Sequence, residues 1–189
     1  MSSDNKERIL EGSLNVYKAK GVKFTMDDLA GELGMSKKTI YTVFPDKGTL
    51  LLEMVDYAFD SVSRTQSEAL NNPDMSLVEK LKNILGVLPE AYVGVDFTQL
   101  YVLKGKYPKA YARLRQRLES GWERTLALID EGIEQGLIRD VNKVVFQLAH
   151  EATLERFLMG DELSKNKLSY EDALTELVEI MTEGIIVRN

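Results

Sequence analysis

Cysteine is absent from the 189 residues and histidine occurs once. Disulfides, thiolate metal sites and thiol nucleophiles are therefore excluded, and a reducing compartment poses no difficulty. Catalysis by a nucleophile with its base, by a metal cluster or through a glycine-rich phosphate loop finds no residues to use, so neither an enzyme nor a metal or cofactor is expected. Apolar runs stay well short of the roughly 18 residues of a membrane span. The opening residues, Met1 to Leu10, hold no basic segment leading into an apolar one, and the expectation is a cytoplasmic protein with no membrane partner. Only four prolines and 13 glycines occur, and they fall where helices would stop. β-Branched alternation over four or more residues is hard to find, which points to an all-α chain. The remaining composition, 44% hydrophobic and 29% charged, is that of a folded globular protein.

A net charge of -6 argues at first against nucleic acid, since Lys and Arg must neutralise phosphates. The distribution of charge along the chain argues the other way. Residues 1–47 hold eight Lys or Arg against seven Asp or Glu, leaving residues 48–189 at -7. An acidic body with a locally basic tip binds DNA through the tip and repels phosphates elsewhere.

The apolar spacing predicts a first helix over 4–20 with Gly21 as its stop, a short one over 26–33 after Thr25, and another from Ser36 to about Val43. A long helix follows Pro45, from Lys47 to Leu70, with Leu51, Met54, Val55, Ala58, Phe59 and Val62 as its stripe. Asn71-Asn72-Pro73 is a linker, and Ser76 with Glu79 forms a capping box for a helix reaching about Leu88. A short helix near 97–104 precedes a long central one that opens at Pro108, carries Leu114, Leu118, Trp122, Leu126 and Ile129 on one line, and ends at Gly136. Two last helices cover about 142–159 and 170–187, the second opened by a further box at Ser169 and Asp172.

Function is carried by residues 25–44. Leu29, Ala30 and Leu33 give a first short helix one apolar face, Gly34 supplies a tight turn, Met35 drops inward, and Ile40 and Phe44 anchor a second helix. Lys37, Lys38, Thr39, Tyr41 and Thr42 are left pointing outward, a cationic and hydroxyl-rich face suited to a DNA major groove. Thr25, Leu29-Ala30, Gly34-Met35-Ser36, Ile40-Tyr41, Phe44-Pro45, Lys47 and Leu50-Leu51 together resemble the N-terminal signature of the TetR family of helix-turn-helix transcriptional regulators, over about residues 6–55.

That resemblance implies a three-helix DNA-binding module, residues 1–47, joined by a long helix to a helical ligand-binding and dimerisation domain, residues 48–189. It implies a sequence-specific regulator, a repressor released from its near-palindromic operator on double-stranded DNA by a small molecule. Thr25, Ser36, Lys37, Thr39, Tyr41 and Lys47 would contact phosphates or base edges, Lys38 would be the leading base reader, and Lys47 would clamp a phosphate. The alternatives are an adaptor that uses the same motif for protein contacts and, more remotely, an all-helical enzyme.

For the body only fold-level inference carries over. Tyr92, Phe97, Tyr101, Trp122 and His150 are candidates to line a pocket for an apolar or amphipathic ligand, with ordinary core packing as the alternative. In the helix 142–159, Phe146 and His150 share one face while Val145, Leu148, Ala149 and Ala152 cover another, so this helix needs two partners. Leu148 and Ala152, with Leu174, Leu177, Val178 and Met181 of the last helix, would form a four-helix homodimer interface; a monomer core is the alternative. Glu151 and Glu155, one turn apart, read by default as solvated carboxylates, with pairing to Arg156 or the partner subunit as the alternative.

Overall fold

The computed structural model describes residues 2–97 and 100–188. The four α-helices after the first each begin where a side chain accepts a free amide. Helix α1 covers Ser2–Lys20 and passes, through Gly21 in the left-handed region (φ 60°), into a 3-10 turn at Gly21–Lys23. Thr25 and Asp28 close a reciprocal box at the start of α2, Met26–Leu33. Gly34, at φ 60°, ends α2 in the conformation that an L side chain resists, and turns the chain toward α3, Lys37–Val43, capped by Ser36. Asp46 caps the 25-residue α4, Lys47–Asn71, its carboxylate accepting from the Thr49 amide at 2.7 Å. Helix α5, Leu77–Gly86, starts at the expected Ser76–Glu79 box.

The central helix expected from Pro108 to Gly136 is two helices. Helix α7, Pro108–Leu118, and α8, Glu123–Glu134, are separated at Gly121, whose φ of +83° no continuous helix allows. The apolar line through Leu114, Leu118, Trp122 and Ile129 hides the break, because each half packs inward, but on different clusters. Leu114 belongs to one that runs from Ile9, Phe24, Leu29, Ile40 and Phe44 through Leu50, Leu51 and Val55 to Tyr92 and Leu103. Ile129 belongs to a second, built by Leu81, Leu85, Phe146, Leu174 and Val178. The first cluster therefore ties the N-terminal helices, α4 and α7 into one body of packing, and α4 lies along α7.

Of the short helix expected near 97–104, residues 98 and 99 lie outside the described residues; the helical part is α6, Tyr101–Lys106, preceded by a 3-10 turn at Glu90–Tyr92. Helix α9, Lys143–Met159, has the expected span with Asn142 as cap, and a four-residue α10, Glu162–Lys165, follows it unforeseen. Helix α11 runs Tyr170–Glu183, short of the expected 187: the chain turns at Gly184 so that Ile186 bridges Ile138 antiparallel. At its start Ser169 accepts the Asp172 amide and donates to that carboxylate, but the reciprocal backbone bond is not formed. No helix among the described residues is long and apolar enough to cross a membrane.

Candidate DNA interface and ligand cavity

Helix α3 is held by one fully buried contact, Ile40, with Phe44 behind it, and this leaves its other faces to solvent. Lys37, Lys38, Thr39, Tyr41 and Thr42 are all exposed, as are Thr25 and Ser36 at the two helix starts. Their polar atoms are unequally free. Thr25 binds Asp28 in the box, Ser36 accepts the Thr39 amide and shares a 2.9 Å bond with its hydroxyl, and Thr42 donates to the Thr39 carbonyl at 2.6 Å. Asp28 is itself held by Lys20 and by Thr25, and its carboxyl falls to about 2, Lys20 being the larger cause. Lys37 pairs with Asp27 at 2.8 Å, which raises its pKa, across a bridge exposed enough for a phosphate to replace the carboxylate. Lys38 has no ion-pair partner among the described residues and stands free at the first turn of α3.

Lys47, expected as a phosphate clamp, is engaged within the fold. Its ammonium is turned into the fold, donating to the Val22 carbonyl at 2.6 Å and to the Phe24 carbonyl, 4.1 Å above the Phe24 ring and 5.7 Å from the Tyr107 ring. Burial, with repulsion from Lys106 added, pushes its pKa down to about 8. Lys47 thus pins the turn after α1 to the start of α4, positioning the reading head. Lys47→Ala leaves two carbonyls of nearly inaccessible residues without a donor, at about 1–3 kcal/mol each. Thermal melting is expected to show the lost stability, while the salt dependence of DNA binding keeps its slope; a slope smaller by about 0.9 per protomer would show a clamp instead.

In the body a cavity of about 450 Å³ lies between α1, α4, α5, α7, α8, α9 and α11. Tyr92, Phe97, Trp122 and His150 line it as expected. Tyr101 does not: it is 56% exposed on the outer side of α6, whereas Leu100 and Leu103 face inward. His150 Nε2 donates to the Leu85 carbonyl at 3.0 Å and the ring stands edge-on to Trp122 at 5.3 Å. Burial lowers its pKa despite that bond, so the ring is neutral and Nδ1 keeps a lone pair. Tyr170 forms an aromatic wall with Phe97, edge to face at 5.0 Å, and Tyr17 of α1 donates to the Asp96 carbonyl at 3.2 Å; burial raises the pKa of both phenols. Neither tyrosine was singled out by spacing, Tyr170 lying in the helix-start box after Ser169. Charged lining groups are confined to Arg117, Glu123 and Arg124 around the α7–α8 break.

The dimer residues expected on α9 and α11 divide. Leu148 is 57% exposed and Ala152 exposed, on the face that also carries Val145 and Ala149. Leu174 and Val178 are instead core residues of the second cluster, with Leu177 and Met181 half-buried; the apolar residue that α11 presents outward is Ile180, 69% exposed. Glu155 pairs with Arg115 at 3.2 Å, Glu151 accepts from Gln147, and Arg156 pairs with Glu162 rather than with either glutamate.

Residues 9–54, the stretch containing the Gly34 turn and α3, match the model of bacterial regulatory proteins of the tetR family. Residues 9–54 thus carry the N-terminal segment of that family. The chain is 27% identical, over 95% of its length and 94% of the relative's, to an uncharacterised HTH-type transcriptional regulator, YvaF, of Bacillus subtilis. A TetR transcription regulator from Haloarcula marismortui shares the fold with a TM-score of 0.75 at 18% identity, 98% of this chain and all of that one being covered. A regulator from Saccharomonospora viridis, solved in complex with choline, does so at 0.67 and 23% identity, with the same coverage. The chain is a DNA-binding transcriptional regulator, all-α, with an N-terminal helix-turn-helix and a C-terminal helical domain.

Proposed function

We propose that the chain is a homodimeric repressor that reads a near-palindromic operator through α3 of each protomer and is released from it by a small molecule bound in the body. The two parts divide at the start of α4, residues 1–47 reading DNA and 48–189 sensing and pairing. The observation that carries this reading is the cavity in the body, because α4 forms one of its walls while its first turn is pinned to the head by Lys47. An occupant that prefers a different tilt of α4 changes the spacing of two reading heads, and by linkage DNA weakens that occupant equally. The lining is uncharged except at the α7–α8 break, which suits an apolar or amphipathic molecule of drug-like size with any polar end at that break. The solved neighbour with choline supports a small-molecule role for this fold.

Selection of bound sequences from a random duplex library gives the operator. Small molecules are then screened by Trp122 emission, the chain's one tryptophan being a cavity residue. A molecule that shifts this emission is expected to weaken operator binding at least fivefold, within the usual range of coupling free energies of about 1–3 kcal/mol. Molecules that bind the body in calorimetry yet leave operator affinity unchanged would show that the cavity is not a sensor.

A further inference from the structure

The body is acidic, but one corner of it is not. Residues 101–118, spanning α6 and α7, carry six Lys or Arg and no Asp or Glu, whereas the rest of 48–189 sums to -13. The three arginines are engaged: Arg113 and Arg117 with Asp56, Arg117 also with Asp60, and Arg115 with Glu119 and Glu155. Lys104, Lys106 and Lys109 are exposed and have no carboxylate in salt-bridge range among the described residues. Three cations thus lie close along the chain with no direct ion pair among the described residues.

Their place decides what they face. Tyr107, between Lys106 and Lys109, packs on the first turn of α4: its ring lies 5.7 Å from Lys47 Nζ, and its Cδ1 is 3.5 Å from where a Cβ on Gly48 would stand. Lys106 adds to burial in lowering the Lys47 pKa, and Lys109 adds to the Thr49 amide in lowering that of Asp46. The lysines therefore border the point where α4 leaves the helix-turn-helix, one short loop beyond α3. There Lys47 faces inward, so the outward charge at this point comes from the body.

We propose that Lys104, Lys106 and Lys109 form a second DNA-contact surface, on the body, meeting backbone phosphates that flank the bases read by α3. This rests on the DNA-binding reading and extends it. Lysine ammoniums on flexible stems neutralise phosphates without reading bases, so the surface adds affinity and not sequence preference. Leu103 of the same short helix lines the cavity, which joins these phosphate contacts to its wall through α6.

The test compares the full chain with the triple variant Lys104→Gln, Lys106→Gln, Lys109→Gln on the selected operator and on a scrambled duplex, across a salt series. The plot of log affinity against log salt is expected to flatten by up to about 0.9 for each lysine in each protomer, affinity for both duplexes to fall about tenfold or more, and the ratio between them to stay constant. The corresponding Lys→Arg triple should bind like the parent. Removing flanking base pairs should weaken the parent and leave the Gln variant unchanged. An unaltered salt slope in a Gln variant that melts at the parental temperature overturns the proposal, as does weakened binding confined to the operator. A parent chain that binds no duplex at any salt concentration overturns the DNA-binding reading instead.

Discussion

Replacing Lys37, Lys38 and Tyr41 together by alanine is expected to erase operator preference, lowering specific affinity by a factor on the order of a thousand while weak binding to scrambled duplex persists in part. Each well-formed contact to a base edge discriminates by about 1–3 kcal/mol, and a dimer would lose the set twice. The fold should survive, because the three side chains are exposed and the buried Ile40 and Phe44 that hold α3 are untouched. Losing the Lys37–Asp27 bridge costs little at so exposed a site. Lys38→Ala alone should relax preference at particular base pairs, since Lys38 is the α3 cation that no carboxylate holds. Fluorescence anisotropy on operator and scrambled duplexes measures both effects, and unchanged operator affinity in the triple variant would remove α3 as the recognition helix.

The double variant Leu148→Glu, Ile180→Glu is expected to be a folded monomer at micromolar concentration where the parent sediments as a dimer. Both residues are more than half exposed in the single chain, so neither carboxylate harms its core. Buried against a second copy without a partner, each charge costs several kcal/mol. Operator affinity should fall at least a hundredfold with dimerisation lost, as each half-site then binds alone. Val178→Glu makes the necessary contrast: at 6% exposure, inside the second cluster, it should unfold the chain rather than split a dimer. A parent that sediments as a monomer, or a double variant that remains dimeric, would move the interface off α9 and α11.

Much of the helix-turn-helix was legible because its determinants are local. Thr25, Gly34 and Ser36 act on amides within three or four residues of themselves, and the apolar spacing of Leu29, Ile40 and Phe44 allows one way to pack two short helices. The body was legible as helices but not as neighbours. An apolar stripe says that a helix face is buried and leaves open whether the cover is this chain's core, a cavity or a second copy. That is why Leu174 and Val178 read like Leu148, although the fold covers the first two and leaves the third bare. Tyr92 and Tyr101 likewise differ only in the direction α6 and the turn before it take.

Helix number in the head, the caps, the outward set on α3 and the acid-base division of the chain were determined by sequence alone, through propensity, hydrogen bonds over three or four residues, and charge counts that folding does not alter. Tertiary structure decided what depends on the meeting of distant segments. It turned the Lys47 ammonium inward by bringing the carbonyls of Val22 and Phe24 to it. It broke the central helix at Gly121 so that α7 and α8 serve different cores. It also set Lys104, Lys106 and Lys109 beside α4, since only the packing of Tyr107 on its first turn brings together charges some sixty residues apart in the chain.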